Sequence, residues 1–147
     1  MPNAVTTGRT RTYRSSSPEE TAALGRRLAR TLGPGTVLAL VGPLGAGKTA
    51  FVKGLAAGLG IPPHEAVSPT FALIHEHAGR VPLFHADLYR LRGADEVAEL
   101  GLEDYAERGG VLAIEWAERA GAALPPGART VGFRITGPRS RLITVAP

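Results

Sequence analysis

Residues Gly42-Pro43-Leu44-Gly45-Ala46-Gly47-Lys48-Thr49 fit the pattern G-x-x-x-x-G-K-[ST]. An apolar run, Val37-Leu38-Ala39-Leu40-Val41, precedes them, and Phe51, Val52, Leu55, Ala56 and Leu59 follow at helical spacing. Strand, glycine-rich turn and helix, in that order, form the setting that a phosphate-binding loop requires. The strand is apolar at every position, as a strand covered on both faces should be. These residues point to an α/β fold in which a buried strand delivers an anion site.

The chemistry follows from the residue types. Backbone N–H groups of the turn and the helix N-terminus make an anion cradle. Gly45 and Gly47 let the backbone wrap phosphates with no Cβ in the way. Lys48 offers a point charge to β- and γ-phosphate oxygens, and Thr49 a hydroxyl to Mg²⁺. Of 17 basic residues only Lys48 and Lys53 are lysines. A chain that uses arginine almost everywhere else places a compact ammonium where a planar guanidinium would be too bulky.

With 147 residues, 44% hydrophobic and 20% charged, the chain is expected to form one domain with its own core. No apolar run approaches the ~20 residues of a membrane span, so no membrane partner is expected. Residues 1–14 are polar and lack an apolar signal core; they read as disordered or edge-like, with a flexible tail the favoured reading and the domain proper at 15–147. The absence of cysteine excludes disulfides and thiolate metal sites and suits a cytoplasmic protein. The net charge of +4 admits nucleic acid as a partner. No dense basic run with interleaved aromatics occurs, and scattered solvated arginines explain the charge equally well.

Ser17-Pro18-Glu19-Glu20 reads as a helix start, with Ser17 at the N-cap, Pro18 in the first turn and Glu20 closing a capping box. Leu24, Leu28 and Leu32 give that helix an apolar stripe, and Gly33-Pro34-Gly35 ends it. Gly60-Ile61-Pro62-Pro63 breaks the helix after the loop. Strands are expected over 71–77 and 81–86. Asp95 is expected to cap a helix carrying Val97 and Leu100, and Gly101 separates it from a short helix with Leu102 and Tyr105. Residues 111–114 read as a buried strand, 117–123 as a short helix, and 130–136 with 141–145 as a hairpin around Gly137-Pro138. The pattern predicts a single-domain α/β P-loop NTPase: a largely parallel central sheet flanked by helices, with a C-terminal antiparallel hairpin adding edge strands.

A phosphate-binding loop of this kind needs an acid at the end of a neighbouring strand. Glu115 follows four apolar residues, and Asp87 follows a run interrupted by Pro82. Glu115 is assigned to Mg²⁺ and Asp87 to water activation or the γ-phosphate network; a solvated strand end and a turn cap are the competing readings. Ser68 and Thr70 lie in a loop where nucleotide switches often sit, and the Thr70 hydroxyl is a candidate for the metal shell. A plain turn residue after Pro69 is the alternative. His75, His77 and His85 invite a zinc reading, since 75 and 77 share a strand face, but with no Cys and no second His pair a zinc site is not expected. His85 is expected as a hydrogen-bonding neighbour of Asp87. Trp116, the single tryptophan, covers the site, marks an interface or packs in the core.

Five segments then agree with one family. They are Gly45-Ala46-Gly47-Lys48-Thr49, Ser68-Pro69-Thr70-Phe71, His85-Ala86-Asp87-Leu88-Tyr89-Arg90-Leu91, Glu99-Leu100-Gly101-Leu102 with Asp104-Tyr105, and Ile114-Glu115-Trp116. In order and spacing, over residues 17–118, they resemble the TsaE (YjeE) ATPases of tRNA threonylcarbamoyladenosine biosynthesis. The resemblance implies ATP and Mg²⁺ as ligands, Thr49 and Glu115 as metal residues, Asp87 and Lys48 in hydrolysis, and the 68–70 segment as a switch. It implies TsaB and TsaD as partners, with tRNA met through that complex. In the family, TsaD transfers a threonylcarbamoyl group to adenosine 37 of tRNAs that read ANN codons. TsaE hydrolyses ATP to support repeated turnover and does not transfer the group. The chain departs from the family at Pro43, where an acid is frequent, at Ala86, where Phe is common, and at Ala117, where Pro is common.

Two other readings use the same loop. A small-molecule kinase needs arginines to clamp the transferred phosphate; Arg90 and Arg92 are available, but 147 residues leave little room for a lid. A nucleotide-gated scaffold needs binding without hydrolysis. A GTPase is disfavoured, because no N/T-K-x-D motif occurs. For the adenine pocket the helix start near Ser17 is the one candidate. Arg134, Arg139 and Arg141 are open between tRNA, a partner and solvent.

Overall fold

The computed structural model describes residues 9–62 and 73–147. In chain order they form β1 (Arg11–Ser15), α1 (Pro18–Ala29), β2 (Val37–Val41), α2 (Lys48–Gly58), β3 (Ile74–His77), β4 (Leu83–Asp87), α3 (Ala94–Ala98), α4 (Leu102–Glu107), β5 (Val111–Glu115), β6 (Arg129–Ile135) and β7 (Arg141–Val145). Single 3-10 turns at Ala117–Arg119 and Gly121–Ala123 connect β5 to β6.

The strands make one seven-stranded sheet in the order β1-β7-β6-β2-β5-β4-β3. β2 pairs in parallel with β5 and β6, and β4 pairs in parallel with β5. β1, β3 and β7 pair antiparallel with their neighbours. The strand that feeds the glycine-rich loop is thus the middle one, and Leu38, Ala39 and Leu40 are at most 1% exposed. α1 and α2 cover one face, packing on Leu38, Leu40, Val131, Phe133 and Ile143. α3, α4 and the 3-10 turns cover the other face over Val37, Ala39, Phe84, Leu112 and Ile114.

Two expectations about the sheet change. β6 and β7 form the expected hairpin, yet neither is an edge strand: β6 runs parallel to β2, and β1 covers β7. A local pattern shows that two strands turn back on each other but not what lies on their outer sides. β1 begins at Arg11, four residues before 15, and forms one edge of the sheet, so the end of the 1–14 stretch follows the edge-like reading and not the flexible one. Its outward residues are polar, which is why it reads as tail in sequence.

Helix starts depart in detail. Ser17 Oγ accepts from Glu20 N at 3.0 Å, as expected. The Glu20 carboxylate reaches Ser16, not Ser17, accepting from its N–H at 2.8 Å and its hydroxyl at 2.9 Å. The chain enters α1 directly from β1, which turns both Ser16 donors toward the carboxylate and holds it below its ordinary value of 4.5. α3 is capped by Gly93, and Asp95 sits one step inside the helix, too late to cap it. Glu96 reaches back to Arg92 N at 2.6 Å instead.

α1 and α2 touch backbone to backbone. A Cβ on Gly54 would lie 1.9 Å from Ala22 O, and one on Gly25 would lie 2.3 Å from Phe51 O. This close approach fixes α2, and with it the loop at its N-terminus, against the start of α1.

Candidate functional site

The loop between β2 and α2 closes on itself: Ala46 N donates to Pro43 O at 3.2 Å and Phe51 N to Gly47 O at 2.9 Å. Gly45 and Gly47 have φ of +80° and +108°, the left-handed region that only glycine enters readily. Leu44, Gly45, Gly47, Lys48 and Thr49 line one wall of a 590 Å³ cavity. Asp87, Tyr89, Glu115 and Trp116 line a second wall; residues 16–19, Thr21, Ala50, Pro138, Arg139 and Arg141 complete the cavity. Gly42, Pro43 and Ala46 are not among the lining residues.

Parallel pairing sets Asp87 opposite Glu115 at the carboxyl ends of β4 and β5. Neighbouring strands lie about 4.8 Å apart, so the two acids stand side by side at the loop. Glu115 is 3% exposed. Its Oε1 accepts from the Thr49 hydroxyl at 3.3 Å, and its Oε2 meets His85 Nε2 at 2.6 Å. The sequence suggests Asp87 as the partner of His85; in the structure His85 pairs with Glu115. Ala113, directly across from His85, is small enough to let the imidazole reach diagonally to position 115. Asp87 Oδ1 accepts from Tyr89 N at 2.9 Å, which turns the chain just after β4.

Lys48 is 4% exposed. Its Nζ donates to Gly42 O and stands 3.4 Å from the Trp116 ring centroid. Burial pushes its pKa below the ordinary 10.5, against the opposing pull of Glu118, Glu115 and Asp87. Trp116 has φ of +58°, alone among the described non-glycine residues in that region. A left-handed tryptophan is strained, at about 1–3 kcal/mol, and here the strain turns the indole over Lys48. Tyr89 packs on it at 5.0 Å, and the Arg119 guanidinium lies 5.6 Å from its ring. Trp116 therefore covers the lysine at the cavity wall while its other side packs on the core.

The three C-terminal arginines separate. Arg141 donates through Nη2 and Nε to Gly45 O at 3.0 and 3.3 Å, and through Nη1 to Gly137 O and Ser140 O. It ties the β6–β7 turn to the glycine-rich loop. Arg139 lines the cavity, and Arg134 is exposed on the sheet, away from it. Arg90 and Arg92 are exposed and do not line it. Ser68 and Thr70 lie outside the described residues.

Thr49 and Glu115 present a hydroxyl and a carboxylate to one point, with a second carboxylate on the same wall. Hard oxygen donors in small number suit Mg²⁺, which takes one or two protein ligands and completes its shell with water and phosphate. Among the described residues no group of three or more His, Asp or Glu assembles as a metal site. The sequence leaves the role of Arg141 open, and it gives neither Thr21 nor the true partner of His85. Arg141 lies 96 residues from Gly45, and no spacing rule connects them.

The family model "Threonylcarbamoyl adenosine biosynthesis protein TsaE" matches residues 15–143. The chain is 43% identical over 132 residues to the tRNA threonylcarbamoyladenosine biosynthesis protein TsaE of Treponema pallidum, covering 90% of this chain and 97% of that one. It is 43% identical over 133 residues to the protein of the same name from Bacillus subtilis, covering 90% and 82%. The crystal structure of Bacillus subtilis YdiB matches the fold with a TM-score of 0.79 at 37% identity, covering 94% of this chain and 85% of that one. On the family match and these identities, the chain belongs to the TsaE family.

Proposed function

We propose that this protein is a Mg²⁺-dependent ATPase of tRNA modification. It acts with TsaB- and TsaD-type proteins in forming threonylcarbamoyladenosine at position 37 of tRNAs that read ANN codons. Its relatives carry threonylcarbamoyladenosine biosynthesis in their names, and the cavity chemistry supports a nucleotide at the centre of that role. The observation that carries the reading is the Thr49–Glu115 pair, 3.3 Å apart, at the mouth of the glycine-rich loop.

In this reading the loop amides and Lys48 hold the β- and γ-phosphates, and Thr49 and Glu115 hold the metal. Bound Mg²⁺ would neutralise phosphate charge. Asp87, beside Glu115, accepts a proton from the attacking water. Trp116 excludes bulk water from Lys48. Hydrolysis supports repeated turnover, and the protein does not transfer the threonylcarbamoyl group. Ser68 and Thr70 serve as the switch. The setting is the cytoplasm; no helix among the described residues is long and apolar enough to cross a membrane.

The kinase reading loses support because Arg90 and Arg92 do not line the cavity. Phosphate release without an added acceptor separates the two. Reconstituted threonylcarbamoyl transfer to tRNA, with and without this protein and with Glu115→Ala, tests the proposal. Multiple turnover should require the wild-type chain and fail with the variant. Equal turnover in all arms would sink it.

A further inference from the structure

Charge is divided unevenly along this chain. Residues 9–18 and 119–147 carry eight arginines and no carboxylate side chain. Residues 19–118 carry nine basic residues against all 13 acids. The net charge of +4 therefore hides a strongly basic part and an acidic part. The fold gathers the basic part, because β1, β7 and β6 are consecutive in the sheet.

Those three strands are covered on one face only. Tyr13, Val131, Phe133, Ile143 and Val145 pack beneath α1 and α2. The core on the other side of the sheet contains no residue of β1, β6 or β7. Their opposite face is a surface. One register row across it reads Arg14, Leu142, Arg134, and the next reads Thr12, Thr144, Gly132. Arg14, Arg134 and Thr12 are exposed, and Leu142, Thr144 and Gly132 are partly so. Two strand spacings put the arginine backbones about 10 Å apart, each guanidinium with threonine hydroxyls in the neighbouring row. None of the residues of these three strands is acidic, so their outer face is a field of positive charge with neutral donors set into it.

We propose that the outer face of β1–β7–β6 binds RNA through its phosphate backbone, with Arg14 and Arg134 as the principal contacts. Guanidinium and hydroxyl donors on a rigid sheet are what positions a polynucleotide without reading its bases. The face has no aromatic platform for single-stranded bases, so a structured RNA fits it better than an extended strand. The choice of RNA over another polyanion rests on the tRNA-directed role proposed above; the charge division does not. The acidic remainder of the chain repels the same polyanion and so orients it onto this face.

The test is fluorescence anisotropy of a labelled, unmodified tRNA transcript with the full chain, without nucleotide, over a salt series. Wild type should bind with an affinity that falls steeply with salt. Arg14→Gln and Arg134→Gln should each lower the salt slope by about 1. The double charge reversal Arg14→Glu/Arg134→Glu should weaken binding at least ~10-fold with ATP affinity and melting temperature unchanged. Arg26→Glu/Arg27→Glu, on exposed positions of α1, is the control and should weaken binding far less. No wild-type binding at low salt, or equal losses from the two double variants, overturns the proposal. Neither result bears on whether turnover of the modification needs ATP hydrolysis, which the reconstitution reads separately.

Discussion

His85 and Glu115, on adjacent parallel strands, meet through Nε2 and Oε2 at 2.6 Å, with both side chains under 5% exposed. The imidazole holds one carboxylate oxygen and leaves the other turned to Thr49. Glu115 is proposed to hold Mg²⁺, and partners behind a metal ligand commonly set metal affinity by 10–100-fold. His85→Ala is expected to raise the Mg²⁺ concentration needed for half-maximal ATP hydrolysis by about that factor. ATP affinity in EDTA should stay within about 2-fold, since His85 does not line the cavity. An equal loss in EDTA would reduce His85 to a packing role.

In the proposed reading, Asp87 and Glu115 divide their work by their surroundings. Glu115 is engaged on both oxygens, whereas Asp87 is half-buried, with Oδ1 on the Tyr89 amide. Removal of a general base typically costs 10²–10⁴-fold in rate. Asp87→Ala should therefore lose at least ~100-fold in kcat while still binding ATP. Abolished ATP binding with turnover per bound ATP intact would reverse the assignment.

Lys48 is buried against its own loop and Trp116, and burial lowers its pKa from 10.5. The unfolded chain holds that proton more tightly, so the folded state gains stability as pH rises through the window just below 10.5. Lys48→Met removes the desolvated charge. It should melt no lower than wild type near neutral pH and flatten the rise of stability with pH, while ATP binding is lost. A clear fall in melting temperature would contradict this account.

Arg141 spans from the β6–β7 turn to Gly45 O. Charge-assisted bonds of this kind are worth about 1.5–3 kcal/mol, and in the proposed reading part of that sets the loop for phosphate. Arg141→Ala should raise KM for ATP about 10-fold with kcat nearly unchanged. Arg141→Lys should rescue little, because an ammonium cannot span both carbonyl sets. A kcat loss equal to the KM effect would place Arg141 in the chemistry instead.

Gly54→Ala tests how the loop is held. Its Cβ would fall 1.9 Å from Ala22 O, which no side-chain movement relieves. A loss of about 3 kcal/mol or more is expected in urea unfolding. Gly33→Ala, where a Cβ meets nothing within 4 Å, is the control and should be nearly neutral.

Much of the site is legible in sequence because it is local. The loop at 42–49 encodes its own conformation through glycine at positive φ, and Glu115 is marked by the apolar run that ends on it. Strand termini at a glycine-rich loop leave few places for an acid to act, so Asp87 is found the same way. The partnerships across the sheet are not local. That His85 serves Glu115, that Trp116 turns over Lys48 and that Arg141 ties down Gly45 follow from strand order and from one strained backbone angle.

The sequence by itself determined the phosphate loop, the two acids, the α/β class and the family resemblance, because each is written in contiguous residues or a fixed spacing. Only the tertiary structure decided that the C-terminal hairpin lies inside the sheet, that residues 11–15 close it, and that Arg14 and Arg134 stand in one row of the sheet. Strand pairing joins segments more than a hundred residues apart, such as Arg14 and Leu142. Its energy comes from burying faces against each other, and a one-dimensional pattern shows which faces are apolar but not which neighbours they find.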